Sequence, residues 1–336
     1  LSLRRQRQMC IRDINTIRSI DMPKPIQVFG NVGSPYTQKI LALLRYRNIP
    51  YTVSWGDVVH NLSLLNLDPP KPVLLPTVVF DNKEVKTDTT PIIRYLENLH
   101  TNKSVIPNTP AVSFLNYLLE DFSDEWTTKF MFHYRWYFDE DAENAKKMLV
   151  LQHKLNINNE EMNNFGDVIA DRQINRLWVV GSNRNTAKLI EKSYKRFLNL
   201  MENHLLDNPY MFGIRPSSSD FGLYGQLTQL VGFDPTPRSI AYKESPRCVS
   251  WVSIMNDLSG LHNKVSIGKF FGVNKDSNTN NDPNYFNEND IGWYELDQLP
   301  ITLKEIFKEV GQVSVSYTHL RAHETEADLV CRLLLE

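Results

Sequence analysis

Cysteine is scarce: the 336-residue chain holds 3, at Cys10, Cys248 and Cys331. Two of them fall in terminal segments that read differently from the rest, so the body keeps Cys248 alone. One cysteine excludes an internal disulfide and a thiolate zinc cage, and fits a reducing compartment. An excess of either charge is missing too. Lys and Arg total 37 against 39 Asp and Glu, a formal net charge of −2. So balanced a chain has no electrostatic footprint for nucleic acid. Nor does any stretch approach the ~18 apolar residues that read as a membrane span. The expectation is a soluble, cytoplasmic protein with neither a nucleic-acid nor a membrane partner.

Both ends stand apart. "LSLRRQRQMCIRD" (residues 1–13) is basic, which by itself reads as a targeting peptide or a basic arm. It more closely resembles a translated sequencing adapter, and "VSYTHLRAHETEADLVCRLLLE" (315–336) resembles the same adapter in another frame. Residues 1–22 and 315–336 are therefore expected to lie outside the fold, with Met22, ahead of "PKPIQVFG", as the true start. Without 1–13 and 315–336 the chain loses six arginines and five carboxylates, and the body sits at −3.

What remains suits two packed units. In the first, strand and helix patterns alternate. "IQVF" (26–29) is a strand and Pro35 to about Tyr46 a helix. "YTVSW" (51–55) is a second strand, and Val58 to Leu67 a short helix closed by Pro69 and Pro70. "LLPTVVFD" (74–81) is a third strand, which "DNKE" turns into a short fourth. "TPIIRYLENL" is a helix with Pro91 in its first turn. After a polar linker, "HTNKSVIPNTP" (100–110), strand signals vanish. Helical patterns cover about 111–139, 143–155, 185–206, 220–231 and 248–258. An Asn-rich loop (274–290) precedes a last helix, where Thr302 and Glu305 read as a capping box. The units span residues 23–99 and 111–313.

One junction stands out, "GNVGSPYTQKILALL" (30–44). Ser34 is placed as a helix N-cap and Pro35 at the first helical position. The free N–H groups and positive dipole end of that helix favour an anion. Asp88 and Thr89 also precede a helix, and capping alone would account for them. Phe122, Trp126, Phe130 and Tyr134 or Tyr137 recur at helical spacing, which usually means core packing. Glu125, Lys129 and His133 read as a solvated ladder, and no second ligand near His133 suggests a metal. Cys248, beside Trp251, reads as a small buried hydrophobe.

Three stretches in order resemble the glutathione transferases: "GSPYTQKILALL", "LLPTVVFDNKEVKTDTTPIIRYLE" and "PSSSDFGLYGQL" with its capping pair Ser217 and Asp220. "EDFSDEWTTKFMFHYRW" resembles a subgroup of transferase-like proteins without assigned activity. The resemblance implies an α/β thioredoxin-like domain followed by an all-α domain, with glutathione as co-substrate and no metal. It implies that Ser34 stabilises the glutathione thiolate, with Tyr36 the competing hydroxyl. It implies a cis bond before Pro76, leaving the Leu75 backbone to pair with the peptide. Asp88 would meet the ammonium, Thr89 the γ-glutamyl carboxylate and Lys71 the glycyl carboxylate. Trp126 and Phe130 would border the pocket of an apolar electrophile, and a homodimer is left open. The other reading is a binding or scaffold protein on the same fold without turnover.

Overall fold

The computed structural model describes residues 24–261 and 292–318. β1 (Ile26–Gly30) pairs in parallel with β2 (Tyr51–Trp55) and antiparallel with β3 (Thr77–Val79). β3 pairs antiparallel with β4 (Val85–Thr87), giving the sheet order β2-β1-β3-β4. Parallel neighbours need a crossover, and α1 (Pro35–Tyr46) supplies it; α2 (Val58–Leu64) and α3 (Thr89–Leu99) complete the unit. The expected β-α-β-α-β-β-α order and thioredoxin-like arrangement hold. β3 is shorter than the pattern at 74–81, because Pro76 has no N–H to give a ladder. Pairing begins one residue later, with Thr77 opposite Phe29. The Leu75–Pro76 peptide is cis, and so is Lys71–Pro72.

The remainder is helical. α4 (Pro110–Asp121), a π-helical turn (Phe122–Thr127) and α5 (Thr128–Tyr137) run on from one another, as the pattern at 111–139 predicts. α6 (Asp139–His153), α7 (Asn159–Ile174), α8 (Ala187–His204) and α9 (Ser218–Leu227) follow. A second π turn (Thr228–Phe233) leads to α10 (Pro235–Glu244), α11 (Pro246–Met255) and α12 (Ile301–Thr318).

Two helices escape the hydrophobic pattern. α7 buries only Gly166 and Ala170, and its Phe165 and Val168 stay exposed. α10 opens with Pro235 and Pro237, which read as breakers but are tolerated in a first helical turn. The capping box at Thr302 and Glu305 does not form. α12 begins at Ile301, Thr302 Oγ1 pairs with His204 Nδ1 at 2.9 Å, and Glu305 pairs with Lys308. The capping pair before α9 does form, and the Asp220 carboxylate accepts from the backbone of Ser217 at 2.9 Å and of Met211 at 3.0 Å. Residues 315–318, read as part of the terminal adapter, continue α12. The segments 1–22 and 319–336 and the Asn-rich loop lie outside the described residues.

One hydrophobic core joins the two units, running from Val28, Ile40 and Leu44 to Leu119, Phe221 and Tyr224. Where α9 crosses α1 the backbones nearly touch. A Cβ at Gly225 would lie 2.5 Å from the Pro35 carbonyl oxygen, so a glycine is required there. The helical unit thus bears directly on the first turn of α1, next to Ser34. Cys248 is fully buried in this core, and burial pushes its thiol up to about 12.

Candidate functional site

Ser34 caps α1 as the sequence predicts: its Oγ accepts from Thr37 N at 3.3 Å, with extended backbone and Pro35 following. The cap uses an oxygen lone pair and leaves the hydroxyl proton free to donate. Two cavities meet at this residue. One, of about 700 Å³, is mainly apolar, lined by Met131, Phe132, Trp136, Leu149, Phe165 and Ile169 among others. The second, of about 680 Å³, is polar, with Tyr36, Asp88, Thr89, Asp121, Asp124 and Glu125 in its wall. Ser34 and Leu75 line both. Among the described residues no group pairs with the Leu75 backbone.

Beneath the polar cavity lies a buried charge cluster. Lys39 of α1 is fully buried, and its Nζ donates to Asp124 Oδ2 at 2.6 Å, Glu120 Oε1 at 2.9 Å and Thr89 Oγ1 at 3.0 Å. Burial alone would lower the lysine's pKa; Asp124 and Glu120 outweigh it and raise it. Burial pushes the Asp124 carboxyl up, against the pull of Lys39. For Glu120 the attraction of Lys39 overcomes burial and holds the carboxyl down. The cluster ties α1, α3 and α4 together at the floor of the cavity. Glu120 and Asp124 lie four residues apart, which sets both carboxylates on one helix face. That spacing, opposite a lysine inside an apolar stripe, was the signal available in the sequence.

A second buried group fixes the turn before Ser34. Arg135 of α5 donates from Nη1 to the Gly33 carbonyl at 2.9 Å, from Nε to Asp234 Oδ1 at 2.9 Å and from Nη2 to Gln229 Oε1 at 2.8 Å. The Gln229 amide donates onward to the Val32 carbonyl at 3.3 Å, and Gln38 reaches the same oxygen at 3.0 Å. The turn is therefore held by side chains from the helical unit as well as by its own cap. Asp124 and Gln229 both sit on π turns, a helical irregularity that often accompanies sites.

The other anticipated residues divide. Asp88 lines the polar cavity and caps α3 through Thr90 N at 3.3 Å. Its φ of 72° is a conformation few non-glycine residues adopt. Thr89 lines the same cavity, yet its hydroxyl accepts from Lys39 Nζ and donates to Asp124 Oδ2 at 3.5 Å, so its proton points inward. Tyr36 donates its hydroxyl to the Asp124 carbonyl at 2.7 Å, and burial raises its pKa, then Asp124 adds to it. Its proton is thereby committed to the π turn. Lys71 is exposed and lines neither cavity, nor does Trp126, whose ring is covered by Lys129. Phe130 is a core residue packed on Tyr194 and Phe197, which removes it from the pocket wall. The apolar wall comes instead from the next turns of α5 and from α6 and α7. His133 is not solvated: it is fully buried, with Nδ1 2.7 Å from Ser182 Oγ, and burial lowers it to about 4.

Residues 28–104 match the family model of the glutathione S-transferase N-terminal domain. The matched stretch covers the four-stranded unit, so the likeness is one of that thioredoxin-like part, which a mostly helical remainder follows. No curated protein matches the sequence significantly. Similar solved structures include the β-etherase LigF from Sphingobium sp. strain SYK-6, at 14% identity over 74% of this chain and 99% of that one, with a TM-score of 0.49. A glutathione transferase family member from Pseudomonas fluorescens, solved with two glutathione bound, is 14% identical over 70% and 90%, at 0.43. A glutathione S-transferase from Rhodospirillum rubrum is 13% identical over 68% and 86%, at 0.44.

Proposed function

We propose that this chain binds glutathione in the polar cavity and transfers its thiolate to an electrophilic compound held in the apolar one. The observation that carries this reading is the placement of Ser34, on the wall the two cavities share. A thiol of pKa near ~8.5 is mostly protonated at neutral pH, and its thiolate is the nucleophile. The Ser34 hydroxyl donates to the sulfur, and the N-terminus of α1 favours the negative charge. The Leu75 backbone pairs with the peptide, and Asp88 meets its ammonium. The thiol proton passes to solvent, and the thiolate then attacks across the shared wall. Sulfur forms the new bond, and the electrophile keeps the electron pair or releases it with its leaving group. Ser34, not Tyr36, takes this role, since the Tyr36 proton is engaged at Asp124.

Retention on immobilised glutathione, followed by conjugation of glutathione to a general aromatic electrophile, tests the reading. Retention with turnover supports it. Retention without turnover makes the chain a binding protein on the same fold, and failure of both overturns glutathione as the ligand.

A further inference from the structure

The apolar cavity is polar at one end. Asn31, Ser34 and Arg135 line it there, joined through the turn at Gly33. Asn31 Oδ1 accepts from Gly33 N at 2.8 Å, and its Nδ2 protons have no partner among the described residues. Arg135 is only 4% exposed, so bulk water does not take up its donors. Its Nε and Nη2 edge holds Asp234 at 2.9 and 3.0 Å, and Nη2 also reaches Gln229. Nη1 gives one proton to the Gly33 carbonyl, and its other proton has no acceptor among the described residues. A buried donor left unpaired is costly unless an acceptor arrives to meet it. Phe233 covers one face of the guanidinium, its ring centre 4.3 Å from Cζ. With Asp234 on the opposite edge, the positive charge is least screened at Nη1. The Ser34 end of the cavity thus gathers donors, while the carboxylate in its wall, Glu161, belongs to α7.

Resting on the proposed thiol transfer, we infer that Asn31 and Arg135 form an oxyanion site, and that the electrophile is a carbonyl compound with a conjugated double bond. As sulfur bonds to the far carbon of such a compound, the double-bond pair shifts toward the carbonyl carbon and the carbonyl pair moves onto oxygen. Solvent then protonates the carbon beside the carbonyl, which re-forms. Negative charge thus passes from sulfur to an oxygen set back from the attacked carbon. Ser34 meets that charge where it starts, and Asn31 Nδ2 with the spare Nη1 proton of Arg135 meets it where it arrives. In an alkyl halide the charge leaves on an atom bonded to the attacked carbon itself, and donors on neighbouring residues have no oxygen to meet. Donors fixed in advance within an apolar cavity act more strongly than the same donors in water.

The test compares transfer of glutathione to benzylideneacetone and to benzyl chloride. Asn31→Asp keeps the acceptor for Gly33 N and puts a repelling oxygen where the donor was. Arg135→Lys keeps the charge and loses the second arm of the guanidinium. An effect on the thiolate or on Ser34 is common to both compounds, so the ratio of their kcat/KM values isolates the oxyanion. Each variant should lower that ratio, benzylideneacetone over benzyl chloride, by about a hundredfold. An unchanged ratio overturns the inference and leaves thiol transfer intact. On the native chain without thiol, calorimetry should find phenylbutyrate bound about tenfold tighter than uncharged phenylbutanol, and Asn31→Asp should abolish the difference. Equal binding of the two to the native chain overturns the oxyanion site, whether or not a variant folds. Phenylbutyrate preferred, with turnover of neither compound, supports the site and removes the transfer reading.

Discussion

Ser34 carries two roles on one oxygen, and they separate energetically. As a cap it accepts from Thr37 N, worth about 1 kcal/mol of stability. As a donor to sulfur it acts where charge sits in the reaction, so its loss should appear in turnover. Ser34→Ala should lower turnover about ten- to a hundredfold, the value of one hydrogen bond to a charged group, and change glutathione affinity little. Steady-state kinetics on the folded variant check this, and equal losses in affinity and turnover would contradict it. At this scale the sequence was partly legible. Ser34 and Asp88 could be read as caps because local chain geometry places them, whereas Leu75 entered only through the family resemblance. The helical spacing of Phe130 reads as core packing, which the structure shows; it is the family resemblance that sets it at a pocket wall.

At the scale of elements, the site depends on how α1 is held. Lys39 bonds it to α3 and α4, and Arg135 and Gln229 hold the turn before it. Removing one partner from a buried ion cluster leaves unpaired charge, which costs about 3–5 kcal/mol. Lys39→Met should therefore lower unfolding stability by about that amount in a urea titration. Adding Glu120→Gln and Asp124→Asn should restore part of the loss, since the three changes share one cluster. A Lys39→Met protein as stable as the parent would show that the cluster contributes nothing net. The π turns that carry Asp124 and Gln229 left no mark in the sequence. They insert one residue's worth of winding into helices whose apolar pattern continues across them. α7 was unreadable for the opposite reason, with almost nothing buried on it.

At the scale of the whole molecule, two buried histidines make stability depend on pH. His204 is fully buried between Thr302 and the Tyr210 carbonyl, and burial lowers it to about 4. The carbonyl only accepts, so Nε2 carries the proton and Nδ1 takes the Thr302 hydroxyl. An unfolded histidine titrates near ~6.5. Between ~6.5 and about 4 the unfolded chain therefore binds the extra proton, and stability falls with pH across that window. Asp220 and Asp234, each raised by burial to about 6, oppose this, because their folded forms hold protons more tightly. His204→Gln isolates the histidine. The variant's stability should fall less steeply than the parent's between pH 6.5 and 4, with a difference of up to about 3 kcal/mol. Parallel curves would mean that His204 titrates normally in the fold. The two-unit plan was legible because the change from alternating strands to long helices is coarse. The contact between the units was not, since Gly225 against Pro35 and Arg135 against Gly33 join residues about 100 or more positions apart.

The central claim, that Ser34 stabilises a thiolate at the wall shared by the two cavities, is tested most directly by titrating the thiol of bound glutathione. Thiolate absorbance in the ultraviolet is followed against pH for the parent and for Ser34→Ala, each saturated with glutathione. The parent should show a thiol pKa below the free value of ~8.5, and the variant one higher by about 1–2 units. The same pKa in both proteins would contradict the account and reduce Ser34 to a helix cap.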